Sequence, residues 1–208
     1  MNTTQLLKLD PDCMRQLGTF VGLLFPDGTE WIEFRLIPGP GVSGSPFSRY
    51  SLAHDVTIPE RDEIGWATAQ ELGAANQLGF NVYCGIHPRR TEGGTKASDV
   101  LHCHVLACDF DDQSLTPELI LERIKDTGFP VPDFMLASGH GHWTYWRLPV
   151  PITPTEWTRQ QIELNAALGA DSKIKDPPRL CRVPGFWNCK NITAPTMARL
   201  IYPPTVEI

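Results

Sequence analysis

The stretch Val100-Leu101-His102-Cys103-His104-Val105-Leu106-Ala107-Cys108-Asp109-Phe110-Asp111-Asp112 decides how this chain folds. Its long, mostly apolar run from Val100 to Phe110 predicts a buried strand, and the run ends abruptly in acids. A strand alternates faces with period two, so Asp109 and Asp111 share a face, with Ala107 and Val105 behind them. Phe110, Cys108 and Leu106 point the other way, toward a core. Two carboxylates at i and i+2 at a strand end suit a pair of divalent cations roughly 3.5–4 Å apart, the arrangement phosphoryl and nucleotidyl transfer use. Hard cations such as Mg²⁺ and Mn²⁺ take oxygen ligands of this kind. On this motif alone, a solvated strand end with a helix-capping acid is an equally open reading.

Working outward, 11–25 predicts a helix, with Met14, Leu17, Phe20, Val21 and Leu24 at helical spacing, and Trp31 to Ile37 predicts a strand closed by the Pro/Gly/Ser loop from Pro38 to Pro46. Arg61 to Leu78 reads as a second helix and Phe80 to Ile86 as a strand. His87 to Ser98 is a polar, basic, glycine-containing loop. After the acids, Thr116 caps a helix with Pro117 at its first position, ended by Gly128. Asp133 to Ala137 is a short strand, and a glycine turn from Ser138 to Gly141 leads into a strand over His142 to Leu148. Pro151 to Pro154 breaks the chain, Thr155 to Leu168 is a helix closed by Gly169, and the rest is loop and short strand ending with Met197 to Tyr202. This order predicts an α/β or α+β domain with a central sheet rather than a doubly wound one.

The 208 residues suit one large domain or a core plus a small appendage, and 41% hydrophobic with 20% charged residues is a composition that packs a core. A net charge of -6 argues against coating nucleic acid by bulk charge, but leaves room for local basic patches beside an acidic metal site. The six cysteines form no CxxC, no secretory signal precedes them, and no apolar run reaches the length of a membrane helix. These features predict a cytoplasmic protein with free thiols and no membrane partner.

Two later segments extend the pattern: Ser138-Gly139-His140-Gly141-His142-Trp143-Thr144-Tyr145-Trp146, and Asp176 through Arg179, Arg182, Pro184-Gly185, Asn188 and Lys190. With Asp109-Phe110-Asp111 they resemble the three ordered motifs of the archaeo-eukaryotic primase superfamily, above all the primase-polymerase domains of plasmids, phages and mobile elements. Asn81 to Arg90 resembles the strand and basic loop ahead of the first motif, and the likeness spans roughly residues 15 to 190. It implies an RNA-recognition-motif-like catalytic sheet, mixed in strand direction, packed with an N-terminal α/β unit as one catalytic domain over 1–208. It implies DNA primase or polymerase activity on a single-stranded DNA template with nucleoside triphosphates and two Mg²⁺ or Mn²⁺ ions. Such domains often continue into a helical helper region or a helicase, so the chain is expected to be part of something larger.

By motif position, Asp109, Asp111 and Asp176 would be the catalytic metal ligands; Asp171, which also follows a helix end, is a rival third. The nucleotide would meet Ser138, His140, His142, Arg179, Arg182 and Lys190, and nucleic acid would meet Arg89, Arg90, Lys96 and Asn188. The family's second motif commonly carries histidine five residues after the serine. Here that position is Trp143, and the adjacent His142 faces the opposite way on a strand, so it replaces that histidine only if the backbone shifts.

His102, Cys103, His104 and Cys108 invite a zinc reading, but four ligands within seven residues of one strand do not converge tetrahedrally. A site there would need help from elsewhere, for example Cys84 or His87. They are expected to be core or interface residues satisfied by hydrogen bonds, Cys181 and Cys189 to be buried thiols, and Trp146 to be core, with Trp187 left open. Two other functions compete: a catalytically silent nucleic-acid-binding replication-initiation module, and a two-metal nuclease or phosphatase on another fold.

Overall fold

The computed structural model describes residues 7–8, 12–57 and 63–202. Residues 11 and 61–62, which open two of the expected helices, lie outside that set. Helix α1 (Cys13–Leu24) precedes β1 (Trp31–Pro38), β2 (Phe47–Leu52), α2 (Ala53–Thr57), α3 (Glu63–Gln77) and β3 (Phe80–Gly85). Then come β4 (Cys103–Phe110), α4 (Pro117–Asp126), β5 (Phe134–Ala137), β6 (His142–Ile152), α5 (Pro154–Leu168) and four short strands: β7 (Leu180–Arg182), β8 (Trp187–Asn188), β9 (Thr196–Met197) and β10 (Arg199–Tyr202). The strands form two four-stranded sheets, ordered β2-β1-β3-β7 and β10-β5-β6-β4, and a β8-β9 pair. The α/β class read from the sequence is the one observed, and the described pairings within it are antiparallel throughout.

One core lies between the sheets. Phe34 and Leu36 of β1 and Val82 and Cys84 of β3 meet Val105, Ala107, Phe134, Leu136, Trp143 and Tyr145 of the other sheet across α1. Phe20 of α1 sits edge-on to both Phe134 and Tyr145, at 6.1 and 6.0 Å between ring centroids, a favoured aromatic geometry. A second cluster covers the opposite face of the β4 sheet, where Cys108, Phe110, Met135 and Trp146 pack on Ile120, Ile124, Leu164 and Leu168 of α4 and α5. β4 is therefore apolar on both faces because both faces are covered.

The helix signals act as read. The Thr116 side chain accepts from Leu119 N, and Gly128 takes φ 76° just beyond the end of α4. Gly169 takes φ 62° at the C-terminus of α5 as expected, but α5 opens at Pro154 rather than Thr155, with the Thr153 side chain accepting from Glu156 N. Three expectations are corrected. β6 runs on through Pro149 and Pro151, because its register against β4 jumps from Val105–Arg147 to Cys103–Ile152 and the prolines sit in that irregularity, where no ladder bond is needed. β4 begins at Cys103 rather than Val100. β2 and α2 went unread, since β2 is a largely half-exposed edge strand without a clean apolar alternation. All six cysteines are free and buried.

Candidate active site

β4 ends with Asp109 half-buried and Asp111 exposed. Asp109 pairs in register with Trp143, and Ala107 with Tyr145, so the acid projects from the same sheet face as those aromatic rings. The free edge of β4 is closed by α5. Gln161 accepts from Ala107 N at 3.1 Å and donates to Ala107 O at 2.6 Å, while Trp157 donates its indole N–H to Val105 O at 2.7 Å. The chain leaving α5 continues that edge pairing: Asp171 N donates to Asp109 O at 3.0 Å. That bond draws Asp171 alongside Asp109, and the carboxylates of Asp109, Asp111 and Asp171 offer oxygens all within 4.8 Å of one another. Asp176 is not in this group; its carboxylate pairs with Arg179.

Burial is the largest force on Asp109. Together with the charges of Asp111 and Asp171 it pushes that carboxyl up to about 7, against the lowering influence of Lys190 and Arg179. Its Oδ1 is buried with no hydrogen-bond partner. An all-oxygen donor set, mutual repulsion and an orphaned oxygen are what a hard divalent cation would relieve, so the residues fit Mg²⁺ or Mn²⁺. The acids line an open cleft of about 330 Å³ together with Arg123 and Lys173.

The glycine turn before β6 abuts this site. Gly139 takes φ 90°, and a Cβ on Gly141 would collide with the Phe110 carbonyl oxygen, so the strand end carrying the acids and the turn close on one another through a position that tolerates no side chain. Ser138 turns inward and donates to Gly141 O. His140 is half-buried in the turn. His142 pairs with Phe110 and lies near Leu115 and Glu118 at the start of α4, on the face turned away from Asp109.

Of the basic groups expected here, Lys190 is exposed and Arg179 half-buried, and the charge of each reaches Asp109. Arg182 is buried, bonded to Asn81 and the Tyr83 hydroxyl, with its guanidinium 4.8 Å above the Tyr83 ring. Two expectations for nucleic-acid contact are corrected. Arg89 is 1% exposed and held by Glu33 at 2.9 Å and by the His87 and Pro178 carbonyls, because a guanidinium in the interior must be paired. Asn188 is buried and bridges motifs, donating to Ser138 O at 2.9 Å and accepting from Lys190 N. Arg90 and Lys96 remain exposed on their loop. Trp143 and Trp146 are core, and the Trp187 indole donates to Lys8 O.

The bracing residues Trp157, Gln161 and Asn165 had gone unread. Their signal is two amides at i, i+4 on the apolar stripe of a helix, paired with each other and reaching beyond the helix to Ala107 and Ile174.

No family model matches the chain, and no curated protein matches it. Solved structures do. The AEP domain of the cyanophage S-2L primase-polymerase superposes with a TM-score of 0.68 at 20% identity, over 89% of this chain and 88% of that one. The primase RepB′ gives 0.62 at 16% identity, over 90% of this chain and 55% of that one. The catalytic domain of RepB′ in complex with initiator DNA gives 0.62 at 17% identity, over 91% and 85%. Identities this low speak to the fold, and that fold is the one the three sequence motifs implied.

Proposed function

We propose that this chain, which has the fold of an archaeo-eukaryotic primase-polymerase catalytic domain, joins nucleotides along a single-stranded DNA template. The observation that carries the proposal is the convergence of Asp109, Asp111 and Asp171 in one cleft with Lys190 and Arg179 within electrostatic reach. A nucleotidyl transferase needs both halves of that arrangement: acids for divalent cations and cations for the triphosphate.

Asp109, Asp111 and Asp171 would hold Mg²⁺ or Mn²⁺. A bound divalent pair supplies charge neutralisation at the attacking and leaving oxygens. Asp171 takes the third position in preference to Asp176, whose contact with Arg179 orients the guanidinium instead. Arg179 and Lys190 bind the triphosphate, with His140 at the turn beside it, while Ser138 and Asn188 hold that turn against the third motif. Arg182 backs the site from the neighbouring sheet, and the exposed Arg90 and Lys96 meet nucleic acid through phosphates. His142 faces α4 and has no part in nucleotide contact. The DNA held by one RepB′ structure favours a nucleic-acid template over a small phosphate ester as substrate.

The test is incorporation of labelled nucleoside triphosphates on single-stranded DNA, with and without an annealed primer, in Mg²⁺ or Mn²⁺. Asp109→Ala/Asp111→Ala should remove several kcal/mol of transition-state stabilisation, a loss of about 10²–10⁴-fold. Nucleic-acid binding without incorporation would favour the silent replication-initiation module, and template degradation would favour the nuclease.

A further inference from the structure

β4 carries a second cluster of ligating side chains at its other end. His102 and His104 lie where the chain enters the strand, and Glu30 sits immediately before β1, in the other sheet. One atom from each side chain lies within 4.8 Å of the others, and His102 Nε2 is 3.2 Å from Glu30 Oε1. That spacing is close to the edge of a tetrahedron built on bonds of about 2.0 Å.

The expectation that these histidines are satisfied by hydrogen bonds does not hold for the buried members. His104 is 8% exposed and its Nε2 has no partner; Glu30 is 7% exposed and its Oε2 has none. Buried polar atoms left unpaired cost free energy, and native structures pair nearly all of them. The His104 ring also hydrogen-bonds the Leu24 carbonyl at the end of α1. A backbone carbonyl holding one ring nitrogen fixes the tautomer and leaves the other lone pair free, as is usual for a metal-bound histidine.

We propose that Glu30, His102 and His104 form a site for a Zn²⁺-class divalent cation that ties the start of β1 to the start of β4. Two imidazoles and one carboxylate suit a borderline transition metal rather than Mg²⁺ or Ca²⁺. His102 is 27% exposed at its side chain, which leaves a solvent side for a water as fourth ligand. An open cleft walled by Pro26, Asp133, Arg147 and His104 provides entry, and the Arg147 charge there is met by Asp133. The exposed Asp27 adds negative charge, reaching both Glu30 and His104. His87 also packs against His104, 6.0 Å between ring centroids, but lies outside the group whose atoms converge. Five residues of strand, roughly 17 Å, separate His104 from Asp109, so the cation would lock the two sheets together and stand apart from nucleotide chemistry.

The test is titration of the EDTA-stripped, tag-free chain with Co²⁺, whose four-coordinate complexes absorb far more strongly in the visible than its six-coordinate ones. One strongly absorbing Co²⁺ per chain is expected, retained in Asp109→Ala/Asp111→Ala, displaced by Zn²⁺ and lost in His102→Ala. Zn²⁺ should raise Tm in the first two proteins and not in the third. X-ray absorption at the zinc edge of the wild-type protein, which does not depend on any variant folding, should show two imidazole ligands. An all-oxygen shell, a spectrum that survives His102→Ala in the folded protein, or no strongly absorbing species would overturn the proposal.

Discussion

Burial, helped by the charges of Asp111 and Asp171, holds the Asp109 carboxyl up against the pull of Lys190 and Arg179. The unfolded chain ionises this carboxyl near 4, whereas the folded protein holds it up to about 7. Between roughly pH 4 and 7 the folded state therefore binds more protons than the unfolded one, and stability falls as pH rises through that window. Asp109→Asn removes the penalty. At pH 7.5 without divalent ions it should stabilise by on the order of 1–3 kcal/mol, raising Tm by roughly 2–4 °C per kcal/mol. It should also abolish stabilisation by Mn²⁺, and thermal melts with and without Mn²⁺ check both. Asp171 and Asp176 make a matched pair: Asp171→Asn should cut incorporation by about 10²-fold or more, and Asp176→Asn by less than about tenfold. Equal losses would return Asp176 to the metal site. Arg89 belongs to the interior, where Glu33 and two carbonyls hold it. Arg89→Met should cost about 1–3 kcal/mol of stability by leaving Glu33 Oε2 buried without a partner while Arg35 and Ser48 still hold Oε1, read by denaturant unfolding, with DNA affinity unchanged in whatever fraction stays folded.

At the scale of the element, β4 depends on α5. An edge strand presents unpaired backbone groups, and here Gln161 satisfies both the N–H and the C=O of Ala107 with one amide. Gln161 in turn donates to Asn165 at 2.8 Å, and Asn165 donates to Ile174 O at 2.6 Å, which anchors the segment leading from α5 past Asp171. Gln161→Ala leaves two buried backbone groups without partners and should destabilise by about 2–4 kcal/mol. Because the same network carries Asp171, incorporation by the folded fraction should fall as well, so denaturant unfolding and primer extension on one variant separate bracing from mere packing. Gly141→Ala should act on the other side of the site by pushing the glycine turn off the Phe110 carbonyl.

Over the whole molecule, two four-stranded sheets share one core, and the acids at the end of β4 face third-motif cations that come from the chain around the partner sheet's β7. The cleft the acids line lies beside that core, walled by the end of β4, the start of the α4 region and the segment leaving α5. Much of this was legible in advance. The paired acids, the capped helices and the order of strands follow from local patterns, and the three motifs in sequence pointed to the fold. The third acid was not legible between two candidates five residues apart, nor was the burial of Arg89 inside a loop that reads as solvated.

What the sequence determined by itself is local: period-two alternation that puts Asp109 and Asp111 on one face, threonine caps and glycine stops that bound the helices, and the absence of any CxxC among six thiols. What the tertiary structure decided is every pairing made across a long stretch of chain. Asp171 becomes the neighbour of Asp109 through a backbone bond on the edge of β4, Arg89 finds Glu33 on an adjacent strand, and Glu30 reaches His102 and His104 from the other sheet. Alternation and capping act within a few residues and leave a trace in composition. A contact between distant segments is set by packing the sheets against each other, and no short window of sequence contains both partners.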